Sequence, residues 1–136
     1  PREMGYPALI IISLDIKPGG IKSYLQEHKG RTSHNDKSVV WISETLEESI
    51  DGCTNTARLE YEWEVKPEDQ GKLSTGKPIK VRTLQYIMED KPRFYRVTCS
   101  VAAEKYESYL PHFEASARSF KRLPVPKSDI PPVLLD

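Results

Sequence analysis

Residues 57–65 read ARLEYEWEV. Leu59, Tyr61, Trp63 and Val65 alternate with Arg58, Glu60, Glu62 and Glu64, the period of two that sets one face of a β-strand on a core and the other in water. Downstream, IKVRTLQYIM (79–88) begins with Ile79 and Val81 inward and Lys80 and Arg82 outward, then shifts to Leu84, Tyr86 and Met88. That change of phase predicts a bulge near Thr83. EDKPR holds Pro92 in a hairpin turn, and FYRVTCSVA (94–102) returns with Tyr95, Val97, Cys99 and Val101 on one face. Residues 57–102 therefore read as an antiparallel meander, with Lys80 and Arg82 expected opposite the Glu60, Glu62 and Glu64 row, where cross-strand pairing would neutralise both.

Upstream of the meander, ALIIISLDI (8–16) is β-branched and almost unbroken, which predicts a central strand covered on both faces. KPGG stops it. IKSYLQEHK (21–29) spaces Ile21, Leu25 and His28 as an amphipathic helix, with Gly30 at its C-cap and RTSHNDKS as a turn. VVWISETLEESI then gives a strand that ends at DGCTNT. Downstream of the meander, Tyr106, Leu110, Phe113, Ala117 and Phe120 recur at spacings of four and three, a helix seam facing a sheet. Pro111 has no N–H to donate, so it is expected in the first turn of the main helix, after a short turn or kinked start over 104–109. The pattern predicts one α+β domain over residues 1–123 and a proline-rich tail over 124–136, with 66–78 a long polar loop.

Composition narrows the function classes. At 136 residues there is room for one core, and twenty basic residues balance twenty acidic ones, so no global field draws the chain to nucleic acid or an anionic membrane. The balance hides a polarity: residues 41–70 hold nine acids against Arg58 and Lys66. Two cysteines 46 positions apart permit one disulfide or none and are too few for a cysteine-only zinc site. Cys99, at an inward strand position, is expected to be a buried thiol. No apolar run reaches the length of a membrane span, so membrane association would come through a segment upstream of Pro1.

Chemistry is sparse. EHKGRTSHND (27–36) gathers two of the three histidines, and His28, His34 and Asp36 are the candidate set for a divalent cation. Their spacing matches no motif, and His28 lies on the apolar seam of its helix, which favours a structural role. His112 stands one helical turn from Ser108 and Ser116 without an acid placed to orient it, so no catalytic triad is expected. STGKP lacks the glycine and the hydroxyl residue of a P-loop. RFYRV could stack bases, but neighbouring acids favour ordinary strand packing. These readings imply no enzyme activity and no cofactor. The residues left as candidates for partner binding are Glu60, Glu62, Glu64, Lys80 and Arg82, with the adjoining loop.

The strand RFYRVTCSVAAEKY (93–106), its small-residue step at Ala102 and Ala103, the Leu-Pro segment at Leu110 and Pro111, and the helix-terminal Ser119 and Phe120 resemble the PsbP-like superfamily. That group spans the PsbP subunit of photosystem II, Ran-binding import factors of the Mog type and bacterial envelope proteins of the DcrB type. The resemblance implies an αβα sandwich around a mainly antiparallel sheet. It also implies a non-enzymatic role in docking to a larger protein complex, in an extracytoplasmic or lumenal place, with lipid anchoring through an upstream segment. PREMGYP has no counterpart of the Pro-x-x-Trp-like element with which the family's opening strand pair begins, so one or two edge strands are expected to be missing or replaced. A sheet edge left open by missing strands would be sticky, so a monomer or weak dimer is expected.

Overall fold

A computed structural model describes residues 7–71 and 76–122. Strand β1 (Leu9–Ile16) is followed by helix α1 (Ile21–Asn35), strands β2 (Val40–Glu47), β3 (Asn55–Val65), β4 (Ile79–Asp90) and β5 (Arg93–Ala102), and helix α2 (Tyr106–Arg118). The strands form one antiparallel sheet in the order β1-β5-β4-β3-β2. Strands β3 to β5 are the expected meander, and β2 extends it by pairing with the free side of β3. Strand β1 adds to the far side of β5, so α1 must cross one face to reach β2, and α2 returns over the other.

Alternation along the strands divides the core into two layers. Leu84, Tyr86 and Met88 of β4, with Val97, Cys99 and Val101 of β5, pack under Tyr106, Phe113 and Ala117 of α2. Ile87, Phe94, Ala57 and Leu59 point the opposite way and meet Ile21, Tyr24 and Leu25 of α1. The helical seam of α2 is as expected, Leu110 and Phe120 packing at its margin. Both cysteines are buried and unpaired with each other, Cys53 beneath the α2 layer and Cys99 in the middle of β5, where burial pushes its thiol pKa up to about 11.

Four local expectations are corrected. Strand β1 is an edge rather than a central strand: its six large aliphatic side chains from Leu9 to Ile16 are each exposed. An unbroken apolar run reports that both faces can be covered, not that they are. No bulge occurs near Thr83, because β4 pairs with β3 and β5 in unbroken register. The apparent phase change marks where the strand passes between two covering helices, so that residues 83–89 are buried on both faces. The register shift lies instead in β2, between Trp41 and Ser43.

Helix α1 runs through Gly30 to Asn35. Gly30 is on the solvent side and its neighbours hold the helix on: Arg31 pairs with Glu27, and Ser33 accepts a hydrogen bond from the Trp41 indole of β2 at 2.9 Å. The stop comes at Asp36, whose backbone is extended and whose carboxylate accepts from the Ser38 N–H and hydroxyl. Pro111 is the sixth residue of α2 rather than in its first turn. It stands on the exposed side, where the carbonyl it leaves unpaired can turn to water. The tail expected over 124–136 lies outside the described residues.

Candidate functional site

Two of the three acids meet the basic neighbours set against them, and Glu60 stands opposite Leu84 instead. Glu62 stands opposite Arg82 and Glu64 opposite Lys80 in the β3–β4 register. The Arg82 Nε–H donates to Glu62 at 3.0 Å, and its guanidinium lies 5.2 Å over the ring of Tyr106. Glu60 is turned inward to the α2 layer. Its carboxylate accepts from the Tyr106 hydroxyl at 2.6 Å, the Ser43 hydroxyl at 2.9 Å and Arg58 at 2.8 Å, and Arg58 reaches on to Glu114 of α2 at 3.5 Å. Burial by itself would raise the Glu60 pKa, but these donors outweigh it and hold the carboxyl below its ordinary range. Burial and the Glu60 carboxylate together push the Tyr106 hydroxyl pKa far up. Five side chains singled out for one role thus divide. Glu60 fastens the start of α2 to the sheet, while Glu62, Glu64, Lys80 and Arg82 form a mixed-charge ridge leading outward from it.

Beyond that ridge the loop after β3 folds back on itself. Pro67–Asp69 forms a single 3-10 turn, and the Gln70 amide donates to the carbonyls of Val65 and Lys77, tying the two ends of the loop together. Residues 72–75 lie outside the described residues.

A second polar chain runs beneath α1. Tyr24 donates its hydroxyl to Asp15, and Arg96 lies 3.6 Å from the same carboxylate and 3.4 Å from Nδ1 of His28. Nε2 of His28 is 2.9 Å from the Gln85 carbonyl oxygen, and the Gln85 amide donates to Thr98 at 3.1 Å. Because that oxygen can only accept, the proton belongs on Nε2 and Nδ1 accepts from Arg96. Burial lowers the His28 pKa below its ordinary value, the Gln85 bond opposes this, and the Arg96 charge reinforces it. His28 is therefore a neutral core residue. Asp36 is spent on the Ser38 turn and His34 occupies the last turn of α1, so the candidate cation set does not converge. Among the described residues no group of three His, Cys, Asp or Glu side chains is placed to hold a metal ion. His112 is an exposed residue on α2, and Ser108 donates to the Lys105 carbonyl rather than to an imidazole.

Two features went unseen in the sequence. One is a groove of about 430 Å³ between α1 and β2, lined by Lys22, Leu25, Gln26, Lys29, Glu44 and Leu46, with Lys29 bonded to Glu44 at 2.9 Å. The alternation of Leu46 with Thr45 and Glu47 gave a signal for its floor, but nothing local pairs β2 with a helix. The other is Arg122, which binds Asp51 at 2.8 Å and Asp90 at 2.9 Å, and so clamps the chain after α2 to the β2–β3 turn and the β4–β5 hairpin.

No family model and no curated protein matches the chain. Solved structures do. The Pseudomonas aeruginosa protein PA94, of unknown function and put forward as a regulator, superposes with a TM-score of 0.65 at 15% identity, over 87% of this chain and 74% of that one. The cyanobacterial PsbP (CyanoP) of Synechocystis sp. PCC 6803 superposes with a TM-score of 0.59 at 13% identity, over 84% of this chain and 66% of that one. Among the described residues no helix is long and apolar enough to cross a membrane. With a five-stranded antiparallel sheet between two helices and these structural neighbours, the chain has the PsbP-like fold.

Proposed function

We propose that the protein is a non-enzymatic binding or assembly module that docks onto a larger protein complex. The observation that carries this reading is the apolar surface left at the sheet edges. At the β2 edge Val40 is 62% exposed on the α2 face opposite Glu62, Leu46 is 61% exposed on the α1 face where it lines the α1–β2 groove, and Ile42 between them is 44% exposed. Aliphatic side chains exposed along an unpaired strand edge make that edge a candidate for pairing or docking. The ridge of Glu62, Glu64, Lys80 and Arg82 on the α2 face supplies alternating charge that would orient a partner, and Glu60 supports it from below. Charge complementarity of this kind sets docking geometry and on-rate more than affinity. An extracytoplasmic or lumenal location, which the likeness to a PsbP protein supports, belongs to the same reading, and attachment to a membrane through an upstream segment is proposed with it.

The test is affinity capture of the tagged chain from gently solubilised membranes and from the soluble fraction. A stoichiometric protein partner, lost on charge reversal at Glu62 and Glu64, is the expected result. No stoichiometric partner in either fraction would end the proposal, and retention by the reversal variant would move the docking surface elsewhere.

The groove favours a second reading, a small-molecule binding protein with Leu25 and Leu46 as the apolar floor and Lys22 at the rim. A thermal-shift screen against small anionic and neutral ligands separates the two, because a ligand held there stabilises the isolated chain without any partner. Calorimetry with calcium, manganese and zinc tests the cation version, for which no heat is expected.

A further inference from the structure

We propose that β1 is the interface between two copies of this chain, joined edge to edge into one ten-stranded antiparallel sheet. Strand β1 pairs with β5 on one side, and among the described residues no strand pairs with its other side. The β5 register puts Ile10 opposite Cys99, Ile12 opposite Val97 and Leu14 opposite Tyr95, so Ile10, Ile12, Leu14 and Ile16 form a row continuous with the α2 core layer. These four are exposed by 49%, 62%, 50% and 55%, and Leu9 and Ile11 on the other face by 38% and 53%. Together that is the surface of about three whole aliphatic side chains, beside a row of backbone donors and acceptors.

The choice of a second copy over a foreign strand rests on self-complementarity. Between Leu9 and Leu14 the strand carries no charge, proline or bulge, the devices that ordinarily keep an edge from pairing. A two-fold axis through Ser13 sets Ile10 against Ile16 and Ile12 against Leu14 of the other copy, then repeats both pairs, so the whole apolar row is used. Asp15 falls opposite Ile11 of the other copy, already bound to Tyr24 and Arg96 of its own. No like charges meet. The opposite edge is unsuited: β2 is bulged between Trp41 and Ser43 and carries Glu44 and Glu47. Pairing β1 with another copy's β2 would be head-to-tail and open-ended, whereas β1 with β1 closes.

Light scattering on the full chain tests this. The expected mass is twice 15.6 kDa, falling to the single-chain value on dilution and in Ile12→Lys, with an unchanged circular dichroism spectrum for the variant. Val40→Lys at the other edge should leave the dimer intact. Ser13→Cys should give a disulfide-linked dimer on mild oxidation, since residues directly opposite have Cβ atoms about 5 Å apart, while Val40→Cys should not. A dimer unaffected by Ile12→Lys would overturn the proposal. So would a monomeric full chain, including one that dimerises only when residues 123–136 are deleted, since the occupant of the edge would then be the chain's own tail. Neither result bears on whether a larger complex is captured, which is read out separately.

Discussion

Two residues show how far a buried polar group can be read in pH. His28 is held neutral, with its pKa below the ordinary value near 6.5. The unfolded chain therefore takes up a proton first as pH falls, and stability contributed by the neutral imidazole is complete above about pH 6.5 and declines below it. His28→Gln keeps a donor for Gln85 and should flatten the stability profile just below pH 6.5, measured as urea midpoints from pH 7 to 5. Glu60 has the opposite charge logic. Its lowered carboxyl contributes stability above the ordinary value of 4.5 and loses it as pH falls through the folded value. Tyr106→Phe removes the 2.6 Å bond to that carboxylate. The expected cost is about 1.5–3 kcal/mol at neutral pH, the range for a hydrogen bond to a charged group, and it should shrink as pH falls from 4.5 through the lowered folded value at which the carboxylate is neutralised. A cost that stays constant across that window would mean the hydroxyl serves packing instead. The structural role of His28 was legible from its place on the apolar seam, but its partners were not, because Gln85 and Arg96 are 57 and 68 positions away.

At the scale of elements, patterns with a single buried face were legible and those with two or none were not. The alternation over 57–65 gave the strand and the buried face of Leu59 and Tyr61, though not that α2 covers Arg58 and Glu60 on the other face, and the seam of α2 placed Tyr106, Phe113 and Ala117 on the core. Strand β4 defeated the same method, since burial on both faces erases the period that alternation depends on. Strand β1 defeated it in the other direction: ALIIISLDI has the composition of a covered strand, and only the pairing order, a non-local property, reveals the edge. Helix α1 misled through one residue. Glycine commonly ends a helix, but Gly30 has a helical place with nothing within 4 Å of where a Cβ would stand. Gly30→Ala should therefore stabilise the protein by about 0.5–1 kcal/mol, the difference between these residues in a helix interior, seen as a raised denaturant midpoint with unchanged slope. A loss of stability would place Gly30 outside the helix.

At the scale of the whole molecule the question is whether the charged ridge serves folding, docking or both. Glu62 and Arg82 are opposite in register, each about a quarter exposed. Arg82→Glu would set two carboxylates across from one another and remove the cation over Tyr106, so a loss of about 1 kcal/mol is expected. Adding Glu62→Arg restores an attractive pair with its direction reversed, and much of that loss should return. If the ridge only neutralises itself, the double variant behaves like the native chain in every respect. A partner that reads the order of charges meets a changed pattern in the single variant and a reversed one in the double variant. The docking reading therefore predicts that stability recovers in the double variant while capture of the partner does not, with chemical denaturation and quantitative pull-down run on the same preparations. Recovery of both together would assign the pair to folding, and leave the exposed apolar edge of β2, with Val40, Ile42 and Leu46, as the surface on which a partner must act.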